Sequence, residues 1–394
     1  MEKLLRISFD TLLTSLTPIL GWFLLGILLD PNLINVFTLI YPMQFIVNTI
    51  KSIFGTGANI SAIRDKNENS IYSGVLIGGI LGGIILGITV INIDKYIIFM
   101  NMNVETYKIF GIYGIIQLFL QLILYLALCK LYYEDNNKRA NKYSLWFNLI
   151  NFSSLIVMSI LTKNQIVITS ISIIITSSFV CIMLFRIVKR TEIKINIANC
   201  IKYDAVTLFD EISMFVIYLF GFKTAFYFGD KYILATSFAT LITDMQWDAS
   251  NSVKTLAQIN ITKNNFSYKE HIKDSLKLIH LLVLTTFIMG ILLYPFYKTN
   301  LQVTGIILGI EILSMYMYPI YITKLIYIQM EHSTYKATIS KQIANVIRAI
   351  CSFIPTPYCT SIGLAGAVIF QLIISKYIIF KNNIIMEKKE KLKI

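Results

Sequence analysis

Charged residues are few in this 394-residue sequence, at 14% of the chain, whereas apolar residues make up 56%. A soluble domain of this length could not bury so much apolar surface in one core. The apolar residues come in runs of about twenty, which is the length that an α-helix needs to cross a bilayer. These runs do not alternate apolar and polar residues, as the strands of a membrane barrel do. The composition therefore predicts an all-α integral membrane protein.

Cysteine and histidine are also scarce, with five and three residues, and neither shows the paired spacing of a disulfide framework or a metal site. The sequence has no glycine-rich phosphate motif followed by Lys-Ser or Lys-Thr, so it carries no ATPase domain. It also shows no nucleophile beside a basic partner. We therefore expect no enzymatic activity, no cofactor and no metal, and any active process in this chain must use an ion gradient.

Twelve apolar segments are predicted to form membrane-spanning helices. Six lie in the first half, near residues 7–29, 33–54, 73–93, 107–131, 143–162 and 166–187. Six more lie in the second half, near residues 205–228, 232–258, 270–295, 301–328, 335–354 and 360–380. In the third segment Gly74, Gly78 and Gly82 recur at four-residue spacing, which predicts a seam of close helix packing.

The net charge of +13 is spread along the chain rather than gathered in one patch. Lysine and arginine concentrate in alternate connections between the predicted helices and in the C-terminal tail. This positive-inside asymmetry predicts that both termini are cytoplasmic, and we expect the cell membrane of a prokaryote as the location. Nucleic acid is not an expected partner, because the basic residues do not form a face with interleaved aromatic residues.

The two halves of the chain show a weak internal repeat. A shift of 200 residues aligns Gly21 with Gly221 and Asp30 with Asp230, and the aligned residues fall in corresponding helices. Two like-oriented sets of six helices predict two lobes related by pseudo-two-fold symmetry about the membrane normal. The expected organisation is a first lobe at 1–190, a cytoplasmic linker at 191–204, a second lobe at 205–381 and a basic cytoplasmic tail at 382–394.

Polar residues recur every four positions in the second predicted helix and at the equivalent positions of the eighth. They are Gln44, Asn48 and Ser52 in the first half and Asp244, Asp248 and Ser252 in the second. Residues four apart share one face of a helix, and polar groups at membrane depth normally face protein or water. We therefore predict that the two stripes line a central substrate cavity. The alternative is that they only hold neighbouring helices together.

Four carboxylates are candidates for binding a coupling ion. Glu311 lies in the middle of the tenth predicted helix, where it has no capping role and where a carboxylate can bind a proton or a sodium ion. Asp10, Asp210 and Glu211 lie within a turn or two of the start of a helix. The helix dipole also favours a carboxylate there, so capping remains an alternative for these three.

Aromatic residues near the polar stripes are further candidates for the cavity wall. Trp22, Tyr41 and Trp247 lie on the first, second and eighth predicted helices. The face of an aromatic ring attracts an organic cation. Aromatic residues near helix ends also serve as anchors at the membrane interface, and this alternative remains open.

Several short segments resemble the multidrug and toxic compound extrusion (MATE) family, within the larger group that includes lipid-linked oligosaccharide flippases. They are residues 55–58 (GTGA), 134–139 (EDNNKR), 148–151 (NLIN), 345–348 (NVIR) and 363–366 (GLAG). The resemblance covers nearly the whole chain and implies alternating access between two six-helix lobes. It also implies cation-site carboxylates, and here the sequence departs from the family. Trp22 stands where many members have an aspartate in the first helix, whereas Glu211 and Glu311 fall in helices that carry such carboxylates in one branch.

The expected function is that of an antiporter coupled to H⁺ or Na⁺ that exports amphipathic, cationic organic compounds, as in multidrug efflux. One alternative is a flippase for a lipid-linked anionic or polysaccharide precursor, for which Lys51, Lys223 and Arg348 are the argument. A second alternative is a dedicated exporter of one natural product. The expected partners are a small organic substrate and membrane lipid, and the expected state is a monomer.

Overall fold

The computed structural model describes residues 2–66, 68–188, 205–262, 266–331 and 334–382. This part of the chain contains twelve long helices. In the first half they are α1 (Glu2–Leu28), α2 (Pro31–Arg64), α3 (Asn69–Ile91), α4 (Val104–Tyr133), α5 (Asn137–Leu161) and α6 (Gln165–Ile187). In the second half they are α7 (Ala205–Phe226), α8 (Asp230–Thr262), α9 (Tyr268–Tyr297), α10 (Leu301–Glu331), α11 (Thr334–Ser352) and α12 (Cys359–Asn382).

The helices differ in how apolar they are. Within the described residues, α2 to α6, α9 and α10 are long and apolar enough to cross a membrane, and α1 and α12 contain the shorter apolar segments Leu16–Leu28 and Cys359–Ser375. Two of the remaining helices, α7 and α8, carry the carboxylates predicted above, and α11 carries Arg348. These features confirm an all-α, multi-pass membrane protein.

The packing of helices in the second half repeats that in the first. In the first half α4 packs against α2, α3 and α6, and in the second half α10 packs against α8, α9 and α12. Likewise, α5 contacts α1 and α6, just as α11 contacts α7 and α12. Between the halves α1 packs along α8 and α7 along α2, which is the exchange of partners that a two-fold axis produces. The predicted linker lies outside the described residues.

Helix α2 continues ten residues beyond its predicted end at residue 54. The helix passes through a π-helical segment, Lys51–Gly57, and then continues as Ala58–Arg64. At Gly55 a Cβ atom would lie 2.7 Å from Cε1 of Tyr125 on α4, so glycine permits close packing here. π-Helical segments are rare and frequently occur at functional sites.

The glycine seam predicted on α3 is confirmed. A Cβ atom at Gly74 would lie 2.0 Å from the carbonyl oxygen of Phe54, and one at Gly82 would lie 2.3 Å from Cδ2 of Leu122. At Gly78 the added atom would lie 2.9 Å from Leu126 Cδ1. These glycines let α3 approach α2 and α4 closely.

Candidate functional site

A cavity of about 450 Å³ lies at the centre of the bundle, mainly within the first half of the chain. Helices α1, α2, α4 and α5 form most of its wall, and α8 of the second half closes it. Its volume falls in the range of pockets that hold drug-sized molecules, about 300–1,000 Å³.

Both predicted polar stripes reach this cavity. Gln44 and Asn48 line it from α2, and Asp244 and Asp248 line it from α8. Ser252, which completes the second stripe, instead lies 3.1 Å from the hydroxyl of Ser8 on α1. Four of the six stripe residues therefore line the same cavity.

Tyr41 links the two halves at the wall of the cavity. Its hydroxyl donates a hydrogen bond to Oδ1 of Asp244 at 2.5 Å, and its ring meets that of Tyr218 edge-on at 4.8 Å between centroids. Tyr41 is only 7% exposed, so this contact is part of the packed interface between α2 and the second half. The hydrogen bond fixes the position of one cavity carboxylate.

Lys51 lines the cavity from the start of the π-helical segment of α2. Its ammonium donates a hydrogen bond to Oε1 of Gln121 at 3.2 Å and lies 5.6 Å from the ring centroid of Tyr125. The carboxylate of Glu211, on α7, acts electrostatically on this charge. The lining thus includes a positive group in addition to the two carboxylates.

Amides and aromatic rings make up much of the remaining wall. Trp22 and Tyr113 meet edge-on at 6.4 Å between ring centroids, and the Tyr113 hydroxyl donates a hydrogen bond to Oδ1 of Asn151 at 2.5 Å. Amide side chains line the cavity from three helices, namely Gln44, Asn48, Gln117, Gln121, Asn148 and Asn151. The wall can therefore both hydrogen-bond and stack against a ligand.

Sequence reasoning missed the amides of α4 and α5 as cavity residues. Gln117 and Gln121 lie four residues apart on α4, and Asn148 and Asn151 lie three apart on α5. The spacing rule applied to α2 and α8 would have selected them, because residues three or four apart share a helix face.

Glu311 lies outside this cavity lining, in a polar cluster of the second half. Its Oε2 accepts a hydrogen bond from Nε1 of Trp247 at 2.8 Å, and its Oε1 accepts one from the Ser361 hydroxyl at 3.2 Å. Trp247 was predicted to line the cavity, but its indole is directed to Glu311 instead. Trp247 on α8, Glu311 on α10 and Ser361 on α12 thus form one hydrogen-bonded cluster.

A buried arginine stands beside this cluster. Arg348, which is 6% exposed, donates a hydrogen bond from its guanidinium to the Tyr218 hydroxyl at 2.6 Å. Its charge interacts with that of Glu311, so the carboxylate has a nearby positive group of the protein itself.

The remaining coupling candidates lie near the interface of α7. Asp210 accepts hydrogen bonds from Lys341, at 2.5 Å, and from Gln342, and these contacts tie α7 to α11. Glu211 interacts with Asn48 of the cavity wall, and its buried Oε2 accepts no hydrogen bond from the described residues. Asp10 lies in α1, and its side chain falls outside the described part.

No protein-family model matches this sequence, and no curated protein is significantly similar to it. Solved structures, in contrast, are similar in fold over nearly the whole chain. An inward-facing multidrug resistance transporter of the MATE family, in the MOP superfamily, has a TM-score of 0.66 at 12% identity, covering 96% of each chain. The lipid II flippase MurJ in an inward closed conformation has a TM-score of 0.67 at 15% identity, covering 96% of this chain and 87% of that one.

A third similar structure is a MOP superfamily transporter from Pyrococcus furiosus, with a TM-score of 0.63 at 14% identity, covering 95% of this chain and 93% of that one. That structure was reported with the statement that the reverse polarity of its binding pocket suggests a different function. The chain therefore has the fold of MATE transporters and related flippases. The resemblance seen in the sequence is confirmed at the level of the fold.

Proposed function

We propose that this protein is an ion-coupled secondary transporter that exports amphipathic organic cations by alternating access between its two halves. The observation that carries this proposal is the pair Asp244 and Asp248 on the wall of an aromatic- and amide-lined cavity. Carboxylates are costly at membrane depth, and those that face a cavity usually mark the pathway of a substrate or ion. A cationic group offsets that cost, and the rings of Trp22 and Tyr113 offer it a stacking surface.

The contacts between the halves support a rocking motion. Away from the face where α1 begins, Phe23 of α1 packs against Phe238 of α8 and Tyr297 of α9, with ring centroids 5.8 Å and 5.6 Å away. Nearer the first face, Ser8 donates a hydrogen bond to the carbonyl oxygen of Ala249 at 2.8 Å. Opening the cavity towards one face would separate the contacts on that face and keep those on the other.

Glu211 is the coupling residue that the geometry supports best. It lies at the boundary between the halves, interacts with Asn48 of the cavity wall, and has a buried oxygen without a hydrogen-bond donor among the described residues. Both oxygens of Glu311, in contrast, accept hydrogen bonds. A proton or sodium ion bound by Glu211 would change the charge at the interface that has to open. The remaining elements of the proposal are a monomer in the cell membrane of a prokaryote with both termini in the cytoplasm.

A flippase for a lipid-linked anionic precursor is the second candidate. Lys51 on the cavity wall favours it, because a positive group would bind a phosphate. The cavity carboxylates oppose it, since Asp244 and Asp248 would repel the same group.

The test is flux in proteoliposomes that contain the purified full chain, with proton and sodium gradients imposed separately. We expect one of the gradients to drive transport of the cationic dye rhodamine 6G, and Asp244→Asn with Asp248→Asn to abolish it. We expect Glu211→Gln to lose gradient-driven transport but to retain exchange of dye for dye, whereas Glu311→Gln keeps both. Translocation of a fluorescent anionic phospholipid without dye transport would favour the flippase instead.

A further inference from the structure

We propose that the substrate is a polyhydroxylated amine, whose hydroxyl groups are recognised by the amide side chains of the cavity wall. This inference rests on the proposed function and deepens it, because it names the chemistry of the neutral part of the organic cation. It follows from the hydrogen bonds that the cavity amides form within the protein and from the amide atoms that these bonds leave unused.

Helix α4 carries a third polar stripe along the cavity. Tyr113, Gln117 and Gln121 recur every four residues, and all three line the cavity, as expected for residues on one face of a helix. At about 1.5 Å per residue, the stripe extends about 12 Å along the helix axis. It is therefore long enough to contact a small organic ligand at more than one point.

The two glutamines of this stripe also hold α4 to its neighbours. Nε2 of Gln117 donates a hydrogen bond to Oγ1 of Thr176 on α6 at 3.0 Å, and Oε1 of Gln121 accepts one from Lys51 on α2 at 3.2 Å. Bonds between helices are the usual role of polar side chains that only stabilise membrane helix packing. Each of these bonds, however, uses only one end of an amide group.

The unused amide atoms include both acceptors and donors, since an amide oxygen accepts and an amide nitrogen donates. Oε1 of Gln117 is buried and has no hydrogen-bond partner among the described residues. The oxygen of Gln121 already accepts a bond, as does that of Asn151, so the nitrogen of each remains as a donor. The wall of α4 and α5 thus offers one acceptor and two donors.

A hydroxyl group matches this combination, because its single oxygen atom both donates and accepts, whereas a carbonyl or ether oxygen only accepts. Gln117 and Gln121 are one helical turn apart, so their Cβ atoms lie about 5–6 Å from each other. Two hydrogen bonds through one oxygen atom span a similar distance, at about 2.8 Å each. One ligand hydroxyl can therefore donate to Oε1 of Gln117 and accept from Nε2 of Gln121.

Several ligand hydroxyls can bind at once, because amides reach the cavity from three helices. Gln44 lies on α2, Gln117 and Gln121 lie on α4, and Asn151 lies on α5. An apolar chain in the same place would displace water and leave amide atoms unpaired, which is unfavourable. Sites built around hydrogen bonds to a substrate hydroxyl accordingly reject analogues that lack the hydroxyl.

The test compares two amines that differ only in their hydroxyl groups. N-benzyl-D-glucamine has a benzyl ring, a secondary ammonium and a polyhydroxylated chain, whereas N-benzylhexylamine has a hexyl chain instead. Displacement of rhodamine 6G from the purified full chain in detergent, followed by fluorescence anisotropy, gives both affinities. We expect the polyhydroxylated amine to bind at least about tenfold more tightly, since each neutral hydrogen bond contributes about fivefold.

Variants assign this preference to the amides. Gln117→Met should lower the ratio of the two affinities about fivefold, because it removes one acceptor, and Gln44→Met should lower it by a similar factor. Gln246→Met is the matched control, because Gln246 is a fully buried amide on α8 outside the cavity lining. This control should keep the ratio unchanged. Partition of the amines into detergent is the same for every variant, so it cancels when the ratios are compared.

The outcomes separate the inference from the function on which it rests. Equal wild-type affinities for the two amines, or a ratio that neither Gln117→Met nor Gln44→Met changes, overturns the hydroxyl proposal, and the transporter proposal stands if rhodamine 6G binding requires Asp244 and Asp248. If the dye does not require these aspartates, the proposed function fails, whereas a ratio lowered by Gln117→Met still supports the hydroxyl site. Unchanged thermal stability without ligand shows that a lost preference is not a loss of fold.

Discussion

The two halves share one helix-packing scheme but use the equivalent region differently. In the first half the space beside α2 is a cavity lined by amides and aromatic rings. In the second half Trp247 of α8 reaches Glu311 of α10, and Arg348 of α11 stands beside them. The two polar stripes also differ in charge, since the neutral amides Gln44 and Asn48 correspond to the carboxylates Asp244 and Asp248. Among the described residues, the first half thus supplies most of the cavity wall, and the second half holds a hydrogen-bonded polar cluster.

This difference shows how two halves with the same helix packing can form a cavity whose charged groups are unevenly distributed. The carboxylates come from the second half, but they line a cavity that belongs mainly to the first. Each half therefore supplies what the other lacks, and the ligand space has a charge distribution that neither half has alone.

The largest effect is expected from Arg348→Met in the second-half cluster. The substitution removes the hydrogen bond from the guanidinium to the Tyr218 hydroxyl and the positive charge near Glu311, which should lower the free energy of unfolding by about 2–3 kcal/mol. Chemical unfolding in detergent, followed by tryptophan fluorescence, measures this change. The double variant Arg348→Met with Glu311→Gln should lose less, and an equal loss would contradict a charge-based role for the cluster.

A smaller effect, on binding rather than stability, is expected from the two stripes. Asp244→Asn with Asp248→Asn should weaken rhodamine 6G binding about 30-fold, because the dye carries one cationic group and a hydrogen bond to a charged group contributes about 1.5–3 kcal/mol. Gln44→Ala with Asn48→Ala should weaken it only about fivefold, since one neutral hydrogen bond to the dye contributes about 1 kcal/mol. Fluorescence anisotropy of the dye measures both affinities. Equal losses for the two stripes would remove the distinction between the halves.

The hydrogen bond between Tyr41 and Asp244, which joins the two halves, should contribute less to the free energy of unfolding. Tyr41→Phe removes the hydrogen bond to Asp244 and should lower the free energy of unfolding by about 1.5 kcal/mol. A double-mutant cycle with Asp244→Asn should show coupling, because the two residues interact directly. Additive losses would mean that the contact between Tyr41 and Asp244 does not stabilise the interface.

The smallest effects should separate the two tryptophans. Trp247→Phe removes the donor to Oε2 of Glu311 and should lower the free energy of unfolding by about 1 kcal/mol without changing dye affinity. Trp22→Phe should keep stability within about 1 kcal/mol and weaken dye binding about threefold, since it alters a cavity wall. If Trp247→Phe weakens dye binding instead and Trp22→Phe does not, Trp247 lines the cavity as the sequence predicts.

Hydrophobic runs in the sequence predicted the positions of all twelve long helices, and four-residue spacing predicted the polar faces of α2 and α8. Local pattern suffices for these features, because a helix buried in lipid must satisfy its own backbone and show one face to its neighbours. The sequence did not predict the π-helical segment Lys51–Gly57 or the short helix Ile93–Phe99. These depend on how closely neighbouring chain segments approach, as the contact of Gly55 with Tyr125 illustrates.

The amino-acid sequence by itself determined that this is a bundle of membrane helices in two similar halves, with carboxylates and amides in its centre. Only the tertiary structure decided which of those groups share a space. Trp247 and Asp248 are adjacent in the chain, yet successive positions on a helix point about 100° apart, so one contacts Glu311 and the other lines the cavity. Charge and spacing are properties of the chain, whereas the choice between a cavity and a packed cluster depends on side chains from several distant helices.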